Sequence, residues 1–349
     1  MASPLDERKK RILKVVTDDY IASAEPVGSR TIARRYDLGL SPATIRNEMS
    51  DLEESGYLEQ PHTSAGRVPS ERGYRYYVDA LMGLQRLTDA EVELIYRELE
   101  QYQQEIESLI HQTSKVLAQL TKYPSMVLAP QIETAVCRHI QLVKLSETTV
   151  LVVIVVDTGS VENKIIELQS EISTEELDRL SVLLNEKLRG RSLADMRFNL
   201  LNEISSELVF QNQFFNDALR LLIHSMAQKP TERVYIDGAT KILEQPEFAD
   251  IQKFKPLMSL LEKEDRLYKL LSKSPTRKPK IKIGHENEEN GMSDCSVVTA
   301  SYEIAGRTVG VIGVLGPTRM EYSKVLPIVE YTANVLSELL TKANKRGLR

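Results

Sequence analysis

The chain has 349 residues, 42% of them hydrophobic, which is enough for two or three domains with apolar cores, and its formal net charge of −5 does not indicate general nucleic-acid binding. Two distant cysteines, Cys137 and Cys295, exclude a disulfide framework and a cysteine metal site, so both are expected to be reduced core thiols. No apolar run approaches the roughly 20 residues that span a bilayer, and the charged N-terminus is unlike a signal peptide, so we expect a cytoplasmic protein without membrane contact.

Three helices are predicted at the N-terminus in helix-turn-helix order. The first begins after Ser3–Asp6, and a short second helix runs from Arg30 to Tyr36. A four-residue turn that contains glycine then precedes a longer helix between Ser41 and Gly56. A short helix, a tight turn and a longer capped helix are typical of this DNA-binding motif.

The third helix has the features of a recognition helix. Ser41 is a good N-cap, Gly56 can end the helix, and Ile45, Met49 and Leu52 form one apolar stripe. The opposite side carries small and polar residues, and Asn and Arg are the side chains that pair with adenine and guanine. Taken alone, the segment fits an ordinary amphipathic surface helix equally well, but its neighbours favour DNA binding. The candidate contacts are Ser41, Ala43, Thr44, Arg46, Asn47 and Ser50, with Arg30 from the second helix.

A loop after the third helix is predicted to form a wing. A short strand at Tyr57–Gln60 is followed by Pro61–Pro69, which is rich in turn formers. Arg67 would reach a phosphate or the minor groove, Gly66 would permit the turn, and His62 is a further candidate contact. A plain surface hairpin is the alternative.

The charges of this region are balanced in number but segregated along the chain. Residues 1–82 hold 12 basic and 13 acidic side chains. The basic side chains fall in three clusters: Lys9, Lys10, Arg11 and Lys14; Arg30, Arg34 and Arg35; and Arg67, Arg72 and Arg75. Such a region can bind a specific DNA sequence while its non-specific, salt-sensitive binding to other DNA stays weak.

A long helix is predicted from the capping box Thr88–Glu91 to about Lys122, because its apolar positions keep a 3.5-residue period. A helix of this kind packs along another helix, either within the chain or in a second subunit. Both alternatives stay open.

The remainder is predicted to be an α+β domain with an insertion. One sheet would be split by a largely helical block, and a further helix would cover about 248–272. The strands are expected at 138–168, 233–236, 281–284, 296–304 and 308–315, the helical block at 172–228, and a last helix at 322–344.

The helical block carries two apolar clusters, one with Leu180 and Leu184 and the other with Phe210, Phe214 and Leu219. Part of this surface must pack within the block itself. The block as a whole is nevertheless the best candidate for a dimer surface. A dimer is expected because it places two DNA-binding domains on one duplex.

Catalytic interpretations find little support. His285-Glu286-Asn287 lacks a second histidine at zinc-ligand spacing, and Asp157-Thr-Gly159 is better explained as a hairpin turn. We therefore predict no enzyme activity, no metal and no cofactor. Arg319 precedes the last helix, where a cation is unfavourable, so we expect it to contact a protein carboxylate or a bound anion.

Several segments strongly resemble the HrcA family of bacterial heat-inducible transcription repressors, and the resemblance spans essentially the whole chain. The matching segments are Pro26–Arg30, Ser41–Met49, Leu52–Leu58, Pro61–Pro69, Gly73–Asp79, Ile283–Asn287, Ser296–Val298 and Gly316–Tyr322.

The resemblance implies an α+β multidomain protein with a winged helix-turn-helix (1–85), a GAF-like domain (86–169 and 229–349) and an inserted dimerising domain (170–228). It also implies a homodimer that binds the inverted-repeat CIRCE operator of chaperone operons, with help from the GroE chaperonin. Two other hypotheses stay open: a winged-helix regulator with a small effector in its GAF-like domain, and an enzyme with an accessory nucleic-acid-binding domain.

Overall fold

The architecture is mixed α/β, with helices and three β-sheets among the described residues. The computed structural model describes residues 5–62, 65–130, 136–157, 161–168, 171–192, 233–272, 278–289 and 291–346. Within these ranges, no helix combines the length and the apolar character needed to cross a membrane.

The N-terminal unit, here called the head, packs three helices against a short antiparallel hairpin. Its elements are α1 (Glu7–Ser23), α2 (Ser29–Arg35), α3 (Pro42–Glu54), β1 (Leu58–Glu59) and β2 (Val68–Pro69). The three helices share one apolar core in which Leu13, Ile32 and Ile45 are fully buried. The predicted helix order is therefore confirmed, and Asp6, at the end of the predicted start segment, caps the first helix.

The head joins the rest of the chain through α4 (Glu71–Tyr76), which continues as a π-helical turn at Tyr77–Leu81. The hydroxyl of Tyr77 donates to Asp18 Oδ1 at 2.6 Å, which ties this turn to α1. Burial, together with this hydrogen bond, raises the pKa of Tyr77. The tyrosine therefore stays a neutral donor, and α4 is fixed to the head.

The prediction of one long helix at 88–122 is wrong. The structure has two helices, α5 (Asp89–Glu100) and α6 (Ile106–Thr121), separated by a turn. The break lets α5 and α6 pack against each other and bury Ile95, Leu99 and Leu109 in the same core. The apolar positions of the predicted helix could have packed within the chain or against a second subunit. These side chains pack within the chain.

A five-stranded antiparallel sheet lies between two helical layers. Its strands, in the spatial order β7-β3-β10-β9-β8, are β3 (Ser125–Leu128), β7 (Val234–Asp237), β8 (Lys280–Ile283), β9 (Cys295–Ile304) and β10 (Arg307–Pro317). One face packs on α5, α6 and the last helix, α10 (Tyr322–Arg346). The other face packs on α8 (Ile251–Leu261) and α9 (Glu264–Ser272). The single helix predicted at about 248–272 is thus two helices, which follow two short 3₁₀ turns.

A second, three-stranded sheet is formed by β4 (Cys137–Lys144), β5 (Thr149–Val156) and β6 (Val161–Glu167). These strands were expected in one sheet with the others, but they pair only among themselves within the described residues. β3 pairs directly with β7, which follows the three strands in the chain, so none of the three lies between them in the larger sheet. Helix α7 (Thr174–Leu188) covers one face of the small sheet.

The chain leaves and re-enters the larger sheet at adjacent points. Leu128 pairs with Val234, and the amide of Ala129 donates to the carbonyl of Arg233 at 3.0 Å. β3 and β7 therefore have the register of a hairpin whose connection is the whole segment between them. Both cysteines are buried and unpaired, as predicted, and burial raises the pKa of the Cys137 thiol to about 11.

Candidate nucleic-acid interface

Helix α3 is built by the local signals that predicted it. The Ser41 hydroxyl accepts a hydrogen bond from the amide of Thr44 at 3.1 Å, and Pro42 occupies the first helical position. Ile45 and Leu52 are fully buried against the other head helices. Gly56 has a φ of +74°, a left-handed conformation that ends the helix and that glycine adopts without steric strain.

The side of α3 that faces away from this core carries the predicted base-reading residues. The side chains of Ala43, Arg46 and Asn47 are exposed, and those of Thr44 and Ser50 are half-buried. The hydroxyls of Thr44 and Ser41 lie 2.9 Å apart and share a hydrogen bond, so both are partly engaged in the cap. Arg46 and Asn47 are thus the long polar side chains on this face that are free to reach a base edge.

The basic clusters are less available than the sequence suggested, because most of their members form ion pairs within the protein. Lys9 lies 3.0 Å from Asp51 on α3, and their hydrogen bond raises the pKa of Lys9. Arg35 pairs with Asp19 at 2.7 Å. These paired cations stabilise the head rather than present free positive charge.

Arg30, Arg34 and Arg46 are exposed and make no ion pair with the residues that the structure describes. Arg34 was not among the predicted contacts. Its spacing from Arg30 could have identified it, because residues four apart lie on the same side of a helix. A helix-turn-helix uses its first helix to contact the DNA backbone, which is the position that α2 occupies in this order of elements.

The hairpin after α3 lies against the head in a way that changes the interpretation of Arg67. The Nε and Nη2 atoms of Arg67 both lie 2.8 Å from Glu53 Oε2 on α3. The backbones of Arg67 and Val27 exchange two hydrogen bonds of 2.9 Å. Arg67 was expected to extend towards DNA, but these contacts hold it on α3, where it joins the hairpin to the helix.

Gly66 is needed for a different reason from the one predicted. It does not have a positive φ, so the turn itself does not require glycine. A Cβ atom at this position would lie 2.4 Å from the carbonyl oxygen of Val27, so only glycine allows the two backbones to approach. His62, nearer the tip of the hairpin, is exposed as a DNA contact requires.

We expect Arg67→Ala to weaken DNA binding while changing the slope of log affinity against log salt by clearly less than one unit. The Arg67 guanidinium is already paired with Glu53, so its loss removes support for the hairpin rather than a phosphate contact. Titrations at several salt concentrations measure the slope. A decrease of a full unit would show that Arg67 leaves Glu53 and contacts a phosphate, as the sequence first indicated.

The predicted dimer residues separate into two groups. Leu180 and Leu184 are buried between α7 and the three-stranded sheet, so neither is available to a partner in this conformation. Their burial follows from the position of α7, whose apolar stripe faces β4. Phe210, Phe214 and Leu219 lie outside the described residues.

Comparison with known proteins finds a matching family and relatives of nearly the whole chain. The profile of the HrcA protein C-terminal domain matches residues 107–326. The chain is 46% identical over 339 residues to the heat-inducible transcription repressor HrcA of Pelotomaculum thermopropionicum, with 97% of each protein covered. It is 45% identical over 337 residues to the protein of the same name from Brevibacillus brevis, covering 97% of this chain and 98% of that protein.

A crystal structure of a hypothetical protein has a TM-score of 0.63 at 22% identity and covers 97% of this chain and 100% of its own, which supports the fold alone. The family rests on the match over residues 107–326 and on the two relatives that span nearly the whole chain. This protein therefore belongs to the HrcA family, whose curated members are named heat-inducible transcription repressors.

Proposed function

We propose that this cytoplasmic protein represses heat-shock genes by binding an inverted-repeat operator of the CIRCE type as a dimer. The observation that carries the proposal is the exposed polar face of α3, with Arg46 and Asn47 free to contact base edges. The head then acts as a winged helix-turn-helix. Helix α3 enters the major groove, α2 approaches the backbone through Arg30 and Arg34, and the hairpin that carries His62 is the wing.

The segment between β3 and β7 is the inserted dimerising domain in this proposal, and we place its start near residue 130 rather than at 170. The support is the hairpin register of β3 and β7, which makes the connection between them an independent insertion. The five-stranded sheet with its two helical layers is the GAF-like domain. The name of that domain comes from the family resemblance.

The surface that we assign to the dimer contact is the face of the three-stranded sheet opposite α7. Val143, Leu151 and Ile165 form one row across this face, and Val155 pairs with Val161 in another. Val161 and Ile165 are 55% and 66% exposed. The row between these two, Gln141, Val153 and Asn163, adds polar groups. A mainly apolar face with a few polar groups fits a self-complementary two-fold contact, which matches the symmetry of an inverted repeat.

A footprint of the purified protein on its own chaperone promoter, with and without the GroE chaperonin, tests the proposal. We expect one protected region with two-fold symmetry, centred on an inverted repeat. Chaperonin should increase the fraction of active protein, and hence the protection at a fixed protein concentration, without moving the protected region. Protection of a single unrepeated site, or of none, would contradict the proposed function.

A further inference from the structure

Two segments distant from α3 contact the head or the helix α4 that follows it. The proposed DNA binding gives neither contact a role. The first is the turn after β8, at Gly284–Glu286, and the second is the segment at Gly316–Tyr322. Both belong to the five-stranded sheet and its connections. The first makes polar contacts with α4, which joins the head to the rest of the chain, and the second makes a polar contact with α1 of the head.

The first contact joins α4 to the open edge of the sheet. Among the described strands β8 pairs with β9 alone, so its other side faces no described strand. Arg75 of α4 forms a two-point ion pair with Glu286, in which the Nε–Oε1 distance is 2.8 Å. Arg75 also donates to the carbonyl of Ile281 at 2.8 Å, and Glu286 accepts from the amide of Ile283 at 2.9 Å.

The ion pair therefore occupies the position that a sixth strand would take. It satisfies two backbone groups of an edge strand that would otherwise rely on water, so docking has a defined geometry rather than a general charge attraction. Undocking of α4 would separate the ion pair and leave the Ile281 carbonyl without Arg75, whereas the bond between Glu286 and Ile283 lies within the turn.

The neighbouring residue pair adds a steric requirement. His285 Nδ1 lies 2.7 Å from Glu71 Oε1 at the start of α4. Gly284 has a φ of +51°, and a Cβ atom at this position would lie 2.0 Å from the same carboxylate oxygen. Gly284 therefore leaves the space into which the Glu71 side chain fits.

The second contact holds the end of α1. Arg319 donates from Nη1 to the carbonyl of Ile21 at 3.0 Å, and its Nε pairs with Glu247. The carboxylate partner expected for Arg319 from its helix position is thus present. Residues 82–88 are the linker to the five-stranded sheet and its helices, here called the body. Gln85 fastens this linker by donating from its backbone amide to the carbonyl of Ser323 at 3.0 Å.

We propose that the Gly284–Glu286 turn and the edge of β8 form a docking site for α4 that fixes the orientation of the head on the body. Because α4 is tied to α1 and α1 packs on α3, this site also sets the direction in which α3 points. In a dimer it determines which spacing between two half-sites both heads can bind. The half-site consequence rests on the proposed function.

Glu286→Ala in the full-length protein tests this docking, with Glu338→Ala as the matched control. Glu338 also forms an ion pair, in its case with Lys342, but it lies on α10 away from the head. We expect Glu286→Ala to speed trypsin cleavage after the exposed Arg86 of the linker by roughly tenfold. Arg75→Ala should have a similar effect, and the double variant should add little, because both changes remove the same interaction.

DNA binding gives the second readout. Half-site affinity should stay within about twofold of wild type, while discrimination between repeats whose spacing differs by two base pairs should fall by about threefold or more. Unchanged cleavage and unchanged spacing preference would overturn the inference, as would an equal loss of half-site affinity, which would show that Glu286 supports the head itself. A wild-type protein that binds no duplex specifically would instead refute the proposed function, and the cleavage rates would still test the docking.

Discussion

Replacing Asn47 by alanine is expected to cost about 1–3 kcal/mol of binding free energy at the specific site and almost none on unrelated DNA. Asn47 is exposed on the second turn of α3, on the side opposite the buried Ile45 and Met49. Its amide can donate to and accept from one adenine edge, and alanine can do neither. Since the side chain carries no charge, the electrostatic component of binding stays intact.

Titrations of the variant against operator and non-operator duplexes at one salt concentration separate the two affinities. Glu54→Ala is the control, because Glu54 is exposed on the same helix but at its C-terminal end, where it should lie outside the groove. A parallel loss of both affinities in Asn47→Ala would mean that this residue contacts the backbone or supports the fold, and that α3 is oriented differently.

The elements predicted well are those whose signals are local. Ser41, Pro42 and Gly56 mark the ends of α3, and the spacing of Ile45 and Leu52 marks its buried side. Each signal acts over a few residues, so no knowledge of tertiary contacts was required. The exposed face of α3 followed from the same spacing.

The break between α5 and α6 had no such signal. The residues at 101–105 are glutamines, a tyrosine and a glutamate, and none of them forbids a helix. The turn forms because Ile95 and Leu109 both reach one core only if the chain folds back. Tertiary packing decides the break, and a periodic pattern cannot show it.

The division of the strands into two sheets could not be predicted from the sequence, for a related reason. Leu128 and Val234 pair across an insertion of about a hundred residues, and their segments show only that strands are present. The ion pair of Arg67 with Glu53 is similar, because each residue is an ordinary surface charge until the hairpin and α3 are placed together. Contacts of this kind depend on the fold rather than on spacing.

The largest effect is expected from removing the insertion between β3 and β7. Ala129 and Arg233 are joined by a backbone hydrogen bond in hairpin register, so residues 130–232 can be replaced by Asn-Gly, which favours a two-residue hairpin turn. The five-stranded sheet and the head should remain folded, because none of the strands described in either one comes from the removed segment. A cut at 170–228 would instead remove α7 and expose the small sheet that it covers.

The shortened protein should be a monomer that binds one half-site within about twofold of the intact chain. Its affinity for the complete inverted repeat should fall by about 10²–10⁴-fold, because the second head no longer binds at a high effective concentration. Sedimentation and duplex titrations measure the two quantities. A tight dimer after the deletion would place the contact on another surface of the chain.

Two point variants of the intact protein locate the contact more finely. Ile165→Lys puts a charge on the sheet face opposite α7, whereas Val182→Lys puts one on α7 itself, and the two native side chains are similarly exposed at 66% and 60%. We expect Ile165→Lys to weaken the dimer by about tenfold or more, since a lysine in an apolar interface must be desolvated, and Val182→Lys to leave it unchanged. The opposite result would move the dimer contact to α7 and leave the outer sheet face without a role in assembly.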